Sequence, residues 1–323
     1  MSSSSSILNN PSASTALLAL NATAQTMNMF ENQISTGLAI GGASDNAAYW
    51  SIATNMTSET NDLASVSGAL SQTASMLSTT TNALQAAISV VDKISADLTT
   101  ASDTNAASSM AEIQSDITAQ QQNLLSIGNS ATFNGVNMLT NSTTSETGAT
   151  AALNTANFAA SYDSTGGTSA VSFISISTKF TNMTNPGTEL FASGATTPAS
   201  ATGGILGTNG ANSSTSILAM DISGMTAGSS GIANLLADTQ TVLNALTTAA
   251  STIGSNQTNV TDQQTFISNL STSLTNGVGS LVDADMNLAS TKIAALQVQQ
   301  QLGVQALSIA NSNTQLILKL FGQ

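Results

Sequence analysis

The chain has 323 residues, 17 carboxylates against four lysines, no Cys and no His, for a formal net charge of −13. Phosphate recognition needs clustered cations, so this balance excludes nucleic acid and an anionic membrane surface as partners. The missing Cys and His exclude a thiol nucleophile, a disulfide framework, a Ser–His triad and the commonest metal ligand.

The N-terminus reads MSSSSSILNNPSAS. It lacks the basic and apolar stretches of a cleaved secretory signal. The chain also has no run of about 18 apolar residues that could span a bilayer. The expectation is a cytoplasmic chain, or one exported without a cleaved leader. Leu17, Leu20, Ala24, Met27, Ile34 and Leu38 then make one helical apolar stripe.

From Asp45 to about Leu98 the spacing predicts a long helix. Leu63, Leu70, Leu77, Leu84, Val91 and Leu98 recur every seventh residue, with Val66, Thr73, Thr80, Ala87 and Ile94 as the second seam row. A strict 3.5-residue period implies a left-handed supercoil with a partner helix. Met110, Ile113, Ile117, Leu124 and Ile127 predict a further helix, capped by Asp103 or Thr104 and stopped by Gly128. Phe133-Asn134-Gly135 marks a tight turn, because Asn-Gly readily supplies positive φ.

Residues 141–229 change character. Gly, Thr and Asn dominate, and Pro186 and Pro198 sit there. Val171, Phe173, Ile174 and Ile176 predict a strand ending near Phe180, and Ile217, Leu218, Met220 and Ile222 predict another.

Heptad rhythm returns at Gly231: Ile232, Thr239, Leu246, Ile253, Val260, Ile267, Leu274 and Leu281 form one row. Leu235, Val242, Ala249, Asn256, Gln263 and Leu270 form the other, in which Asn256 and Gln263 are polar seam positions that can set register at some cost in stability. The last segment carries two stripes. Ile293, Leu296, Leu307, Ala310, Ile317 and Phe321 make one; Val298, Leu302, Ile309 and Leu316 make another on a different face. One intramolecular helix covers one stripe, so other copies of the chain are expected to cover the rest.

The fold class read from these rows is mainly α: long antiparallel heptad helices from both chain ends with a small β-rich central insertion. The domains expected are 1–44 with 283–323 as a terminal coiled coil, 45–140 with 230–282 as a helical rod, and 141–229 as a short exposed β/loop region. No residue set supports catalysis, a metal or a cofactor. Helix-start capping explains Asp45, Asp283 and Asp285 better than acid/base work. A solvated face with i,i+4 pairing explains Lys93 beside Asp92 and Asp97. Gly41-Gly42 and Gly203-Gly204 lack a phosphate-loop pattern and read as turns. The methionines read as adaptable packing. Tyr49 and Trp50 read as packing at an intra- or intersubunit contact.

Three motifs resemble bacterial flagellin. Residues 35–48, STGLAIGGASDNAA, resemble that family's SSGLRINSAKDDAA and continue into Ile52-Ala53. Phe133-Asn134-Gly135 with Met138-Leu139 resembles its FNG turn, and Gln300-Gln301-Leu302-Gly303 with Leu307 and Ala310-Asn311 resembles its QQxG segment. The likeness covers roughly 1–140 and 230–323. It implies an extracellular helical filament for swimming, exported unfolded by the flagellar type III system. It also implies a homopolymer, with an export chaperone, filament cap and hook-junction proteins as further partners. The expected polymerisation residues are Leu17, Leu20, Met27, Ile34, Leu38, Asp45, Ile293, Leu296, Gln300, Gly303, Leu307, Ala310, Asn311 and Ile317.

Departures from the family pattern are Ala39 in place of an Arg, Ser44-Asp45-Asn46 in place of Lys-Asp-Asp, and Ser95-Ala96 in place of an Arg-Glu pair that an innate immune receptor reads. The last predicts weak recognition by that receptor. The Ser/Thr-dense middle suggests O-glycosylation, as the family often shows. A hook–filament junction protein sharing the terminal helices, or a secreted coiled-coil adhesin, are the alternatives.

Overall fold

The computed structural model describes residues 10–103, 108–141, 155–163, 170–179, 181–184, 187–192 and 194–321. Four long helices dominate: α1 (Pro11–Thr36), α2 (Ala47–Ala101), α5 (Ser230–Val282) and α6 (Met286–Phe321). Between α2 and α5 lie α3 (Met110–Ser130), α4 (Gly204–Gly207) and six short strands. The chain divides into two compact units, one of Met1–Asn61 with Ser271–Gln323 and one of Asp62–Leu270. The heptad helices α2 and α5 contribute residues to both.

In the 62–270 unit the heptad rows are the core. Every predicted seam residue of α2 from Leu63 to Leu98 is buried, the threonines included. Thr73, Thr80 and Thr239 sit in the seam because each hydroxyl donates to a backbone carbonyl four residues back (Ala69, Met76 and Leu235) at 2.7–2.9 Å. That leaves the methyl to pack and no hydroxyl orphaned. This device is repeated along the exposed faces, for example at Thr241, Thr248 and Thr265, and lets so Thr-rich a chain build helices.

Two side-chain bonds set the antiparallel register of α2 and α5: Gln240 Nε2 donates to Ser95 Oγ at 3.1 Å and Gln264 Nε2 donates to Ser71 Oγ at 3.2 Å. The same number of residues separates the two bonds on either helix, so the register does not slip between them. The seam residues Leu77, Leu84 and Val91 of α2 and Val260, Ile253 and Leu246 of α5 are all fully buried.

Three features of the central part differ from the sequence expectation. First, α3 is preceded by Ser109, which makes no side-chain cap bond, rather than capped by Asp103; Thr104 lies outside the described residues. Second, α3 runs through Gly128 to Ser130. Gly128 is there because the Phe191 ring fills the place of a side chain: a Cβ would lie 2.5 Å from Phe191 Cε1 and Cζ. Third, the apolar run at 217–222 is no strand. Ile217–Ala219 is a 3₁₀ turn. Its backbone groups are taken by α3 glutamines instead of a ladder: Gln121 Nε2 donates to the Ile217 and Met220 carbonyls at 2.9 and 3.0 Å, and the Ile222 N–H donates to Gln114 Oε1 at 2.7 Å.

The Asn-Gly turn forms as expected. Asn134 (φ 49°) and Gly135 (φ 80°) both take positive φ, joining β1 (Thr132–Phe133) to β2 (Val136–Asn137). Strand β3 (Thr140–Asn141) pairs in parallel with β6 (Phe191–Ala192). The expected strand at 171–176 is β5 (Ala170–Ser177), antiparallel to β4 (Thr155–Asp163); Phe180 lies outside the described residues. Ala156 and Ile176, directly opposite each other, are buried while Phe173 points outward.

Asp238 ties the central loops to α5. Its carboxylate is buried and accepts four bonds: Oδ1 from the Asn212 N–H (3.1 Å) and Nδ2 (2.7 Å), Oδ2 from the Ser213 N–H (2.7 Å) and Oγ (2.7 Å). Burial pushes this carboxyl upward, but the Ser213 and Asn212 donors together outweigh it and hold it below the ordinary carboxylate value.

Candidate assembly surface

The unit formed by both chain ends holds the antiparallel pair α1 and α6, with the first turns of α2 and the last turns of α5. Helix α1 begins with Asn10, whose Oδ1 accepts from the Ala13 N–H at 3.1 Å, followed by Pro11 at the first helical position. Asn10 Nδ2 also donates to the Ala310 carbonyl at 3.0 Å, tying the start of α1 to the far part of α6. Helix α1 ends at Gly37, in the left-handed conformation (φ 76°), whose N–H returns to the Gln33 carbonyl.

The chain then crosses beside the α5–α6 corner. Ala39 and Ile40 N–H donate to the Val282 carbonyl (2.7 and 3.3 Å), the Ala284 N–H donates to the Gly37 carbonyl (2.8 Å), and Leu38 bridges Asp283. Asp45 Oδ2 accepts from Gly41 and Gly42 N–H at 3.0 and 3.1 Å. It braces this turn, while Asn46 is the residue that caps α2 through the Ala48 and Tyr49 N–H groups. Asp285 caps α6 in the same way, accepting from Asn287 and Leu288 N–H.

Along the pair, the Leu20–Gly303 approach sets the register, and the Asn10 side chain reaches about one turn along it to the Ala310 carbonyl. A Cβ on Gly303 would lie 2.9 Å from Leu20 Cδ1. On that register Ala16 is level with Leu307, Met27 with Leu296, Phe30 with Ile293 and Ile34 with Ala289. Large residues alternate with small ones across several layers, as interdigitation requires. Thr23 and Gln300 form the polar layer.

Of the residues expected at an assembly surface, Leu20, Met27, Ile34, Ile293, Leu296, Gln300, Gly303, Leu307 and Ala310 are half-buried in this facing row. Leu38 is half-buried in the crossing, and Leu17, Asp45 and Asn311 are exposed. Ile317 lies on α6, but its side chain, like those of Leu316 and Phe321, is outside the described residues. In the described part of the second α6 stripe Val298, Leu302 and Ile309 are 54, 58 and 64 % exposed. The sequence pattern did not single out Leu18, Met286, Leu288 and Val304, which are also exposed. Their signal is an apolar residue standing off the heptad stripe.

Nothing in this geometry forms a reactive constellation. Among the described residues no group of three or more His, Cys, Asp or Glu could hold a metal ion, and no described helix is long and apolar enough to cross a membrane. Lys93 is exposed. Asp97 accepts from Gln120 Nε2 at 2.8 Å, and burial raises its carboxyl against that bond, with Asp116 adding to the rise.

Residues 7–144 match the family model of the bacterial flagellin N-terminal helical region, and residues 236–321 match that of the bacterial flagellin C-terminal helical region. The chain belongs to the bacterial flagellin family. It is similar along its whole length to a flagellin of Brucella melitensis biotype 1 (36% identical, covering 98% of this chain and 99% of the relative). Flagellin C and Flagellin A of Rhizobium meliloti are 33% and 32% identical over 98% of this chain and 99% of each relative. Flagellins are structural proteins, not enzymes, and this one is a filament subunit. The family models leave unmatched the residues 145–235, which hold the β4–β5 hairpin and the loops that Asp238 anchors.

Proposed function

We propose that this flagellin builds the extracellular flagellar filament by self-assembly, covering in each contact the apolar surface that its own terminal helix pair leaves open. The exposed row Val298, Leu302 and Ile309 carries this reading. Helix α1 already occupies the opposite row, so the second row has no partner within the pair. In this reading residues 1–44 with 283–323 form the inner domain, 45–140 with 230–282 the adjoining rod, and 141–229 the outward part. The chain leaves the cell unfolded through the flagellar type III apparatus, met by an export chaperone inside and by cap and hook-junction proteins outside. The exposed hydroxyls of the middle region carry O-glycans.

Polymerisation of purified protein tests the proposal. Leu302→Asp or Ile309→Asp is expected to abolish filaments by light scattering and electron microscopy, with helicity retained. Wild-type-like filaments from both variants would overturn the assignment of this face. An intact mass of secreted protein at 32.3 kDa, the bare chain, would reject glycosylation.

A further inference from the structure

The chain has one Trp, and more than a third of its surface is exposed. Trp50 is 39 % exposed, Tyr49 47 % and Ile52 48 %, all within the first two turns of α2. The Asn46 cap fixes the start of that helix, so these side chains cannot swing inward by unwinding it. The reason for their exposure is geometric. Ala53 is buried, and Met56 packs against Gly277 of α5. Tyr49 continues that same face one turn earlier, but α5 ends at Val282, so the face runs past the end of its partner.

The sequence left open whether Tyr49 and Trp50 pack within the chain or between chains; the chain covers only part of each, which leaves an exposed part for a second contact. We propose that Tyr49, Trp50 and Ile52 form a docking patch for the uncharged terminal-helix surface of a second copy of this chain. This rests on the self-assembly reading and names a contact within it.

Charge selects the partner. No charged residue lies between Asp45 and Glu59 on α2, or between Lys292 and Lys319 on α6, and α1 carries only Glu31. Twelve of the 17 carboxylates and two of the four lysines fall in 62–270, which leaves the terminal unit with a net charge of −3 against −10. An uncharged aromatic patch gains nothing by meeting the acidic unit or a cationic protein. It matches the uncharged α1 and α6 surfaces of another copy, where buried Tyr and Trp anchor contacts at low conformational cost. Area sets the conditions. Side chains of this size leave on the order of 300 Å² of the patch in solvent, well below the roughly 800 Å² per partner of a stable pair. The patch alone therefore makes no dimer, and it is covered only where many contacts form together in a polymer.

Fluorescence of the sole Trp tests this directly in the wild-type chain. Expected in the monomer is ready quenching by acrylamide. Expected on seeded polymerisation is a blue shift and a several-fold loss of quenching. Trp50→Ala is expected to raise the critical concentration roughly tenfold or more with unchanged far-ultraviolet circular dichroism, and Trp50→Phe is expected to restore assembly. Filaments in which Trp50 quenches as freely as in the monomer would overturn the proposal and give the patch to a different partner. So would a monomer in which it is already shielded, or Trp50→Ala assembling at the wild-type concentration. A wild-type chain that forms no polymer at all would overturn the self-assembly reading together with this one.

Discussion

Single side chains decide how the central loops are held. The Asp238 carboxylate takes four donors from Asn212 and Ser213 while buried on α5. Asp238→Ala leaves those donors facing one another without an acceptor, and is expected to cost about 1–3 kcal/mol in chemical unfolding. Because the folded carboxyl sits below its ordinary value of 3.8, its contribution is fully present above that pH. It is lost as pH falls from there through the folded value. Asp238→Asn should therefore be less stable than wild type near neutrality, and the gap should close in acid melts. Gly128 is decided by packing, not by backbone freedom. The fully buried Phe191 ring occupies the space of a side chain and cannot move without disturbing β6. Gly128→Ala is expected to cost about 1–3 kcal/mol by overpacking, read as a fall in the denaturation midpoint.

At the scale of elements, α6 has two faces with different duties. Leu307 lies in the half-buried row opposite α1, and Leu302 lies outward. A carboxylate at each should separate them. Leu307→Asp is expected to melt the terminal pair and lower helicity in the monomer, whereas Leu302→Asp should spare monomer helicity and act only on assembly. Equal circular dichroism spectra for the two monomers would contradict the division of faces. The α2–α5 seam shows the complementary economy. Its threonines satisfy their hydroxyls on their own helix, so the rows keep their heptad spacing with little cost from polar atoms.

For the whole molecule, the two units differ in how completely they are finished. The 62–270 unit has a continuous core: the heptad rows, α3, and the loops held by Gln121 and Asp238. The terminal unit is mostly half-buried side chains and open apolar rows; Ala53, Val282 and Ala289 are its buried apolar residues among those described. A fragment of residues 62–270 is therefore expected to unfold cooperatively on its own, by circular dichroism, and to form no filaments. A non-cooperative melt of that fragment would contradict its independence. The open state of the terminal unit is the property a subunit needs, since covering its apolar surface supplies about 25 cal/mol per Å² toward assembly.

Periodicity alone determined the long helices, their seam rows and the doubled stripe on the last segment, because a heptad repeat records which residues face a partner; the antiparallel direction is fixed by the bonds between α2 and α5. The Asn-Gly hairpin was legible for a similar local reason: only two positive φ values close so short a turn. Tertiary structure decided what periodicity does not encode. An apolar run at 217–222 became a 3₁₀ turn because glutamines on α3, about a hundred positions away, took its backbone groups. Gly128 failed to stop a helix because a distant ring needed its space. Which of two equally apolar stripes α1 would cover, and that Tyr49 and Trp50 would overrun the end of α5, depended on where helices stop and cross. Those positions are set by capping at Gly37, Asn46 and Asp285 and by the bonds at Val282, which no repeat in the sequence announces.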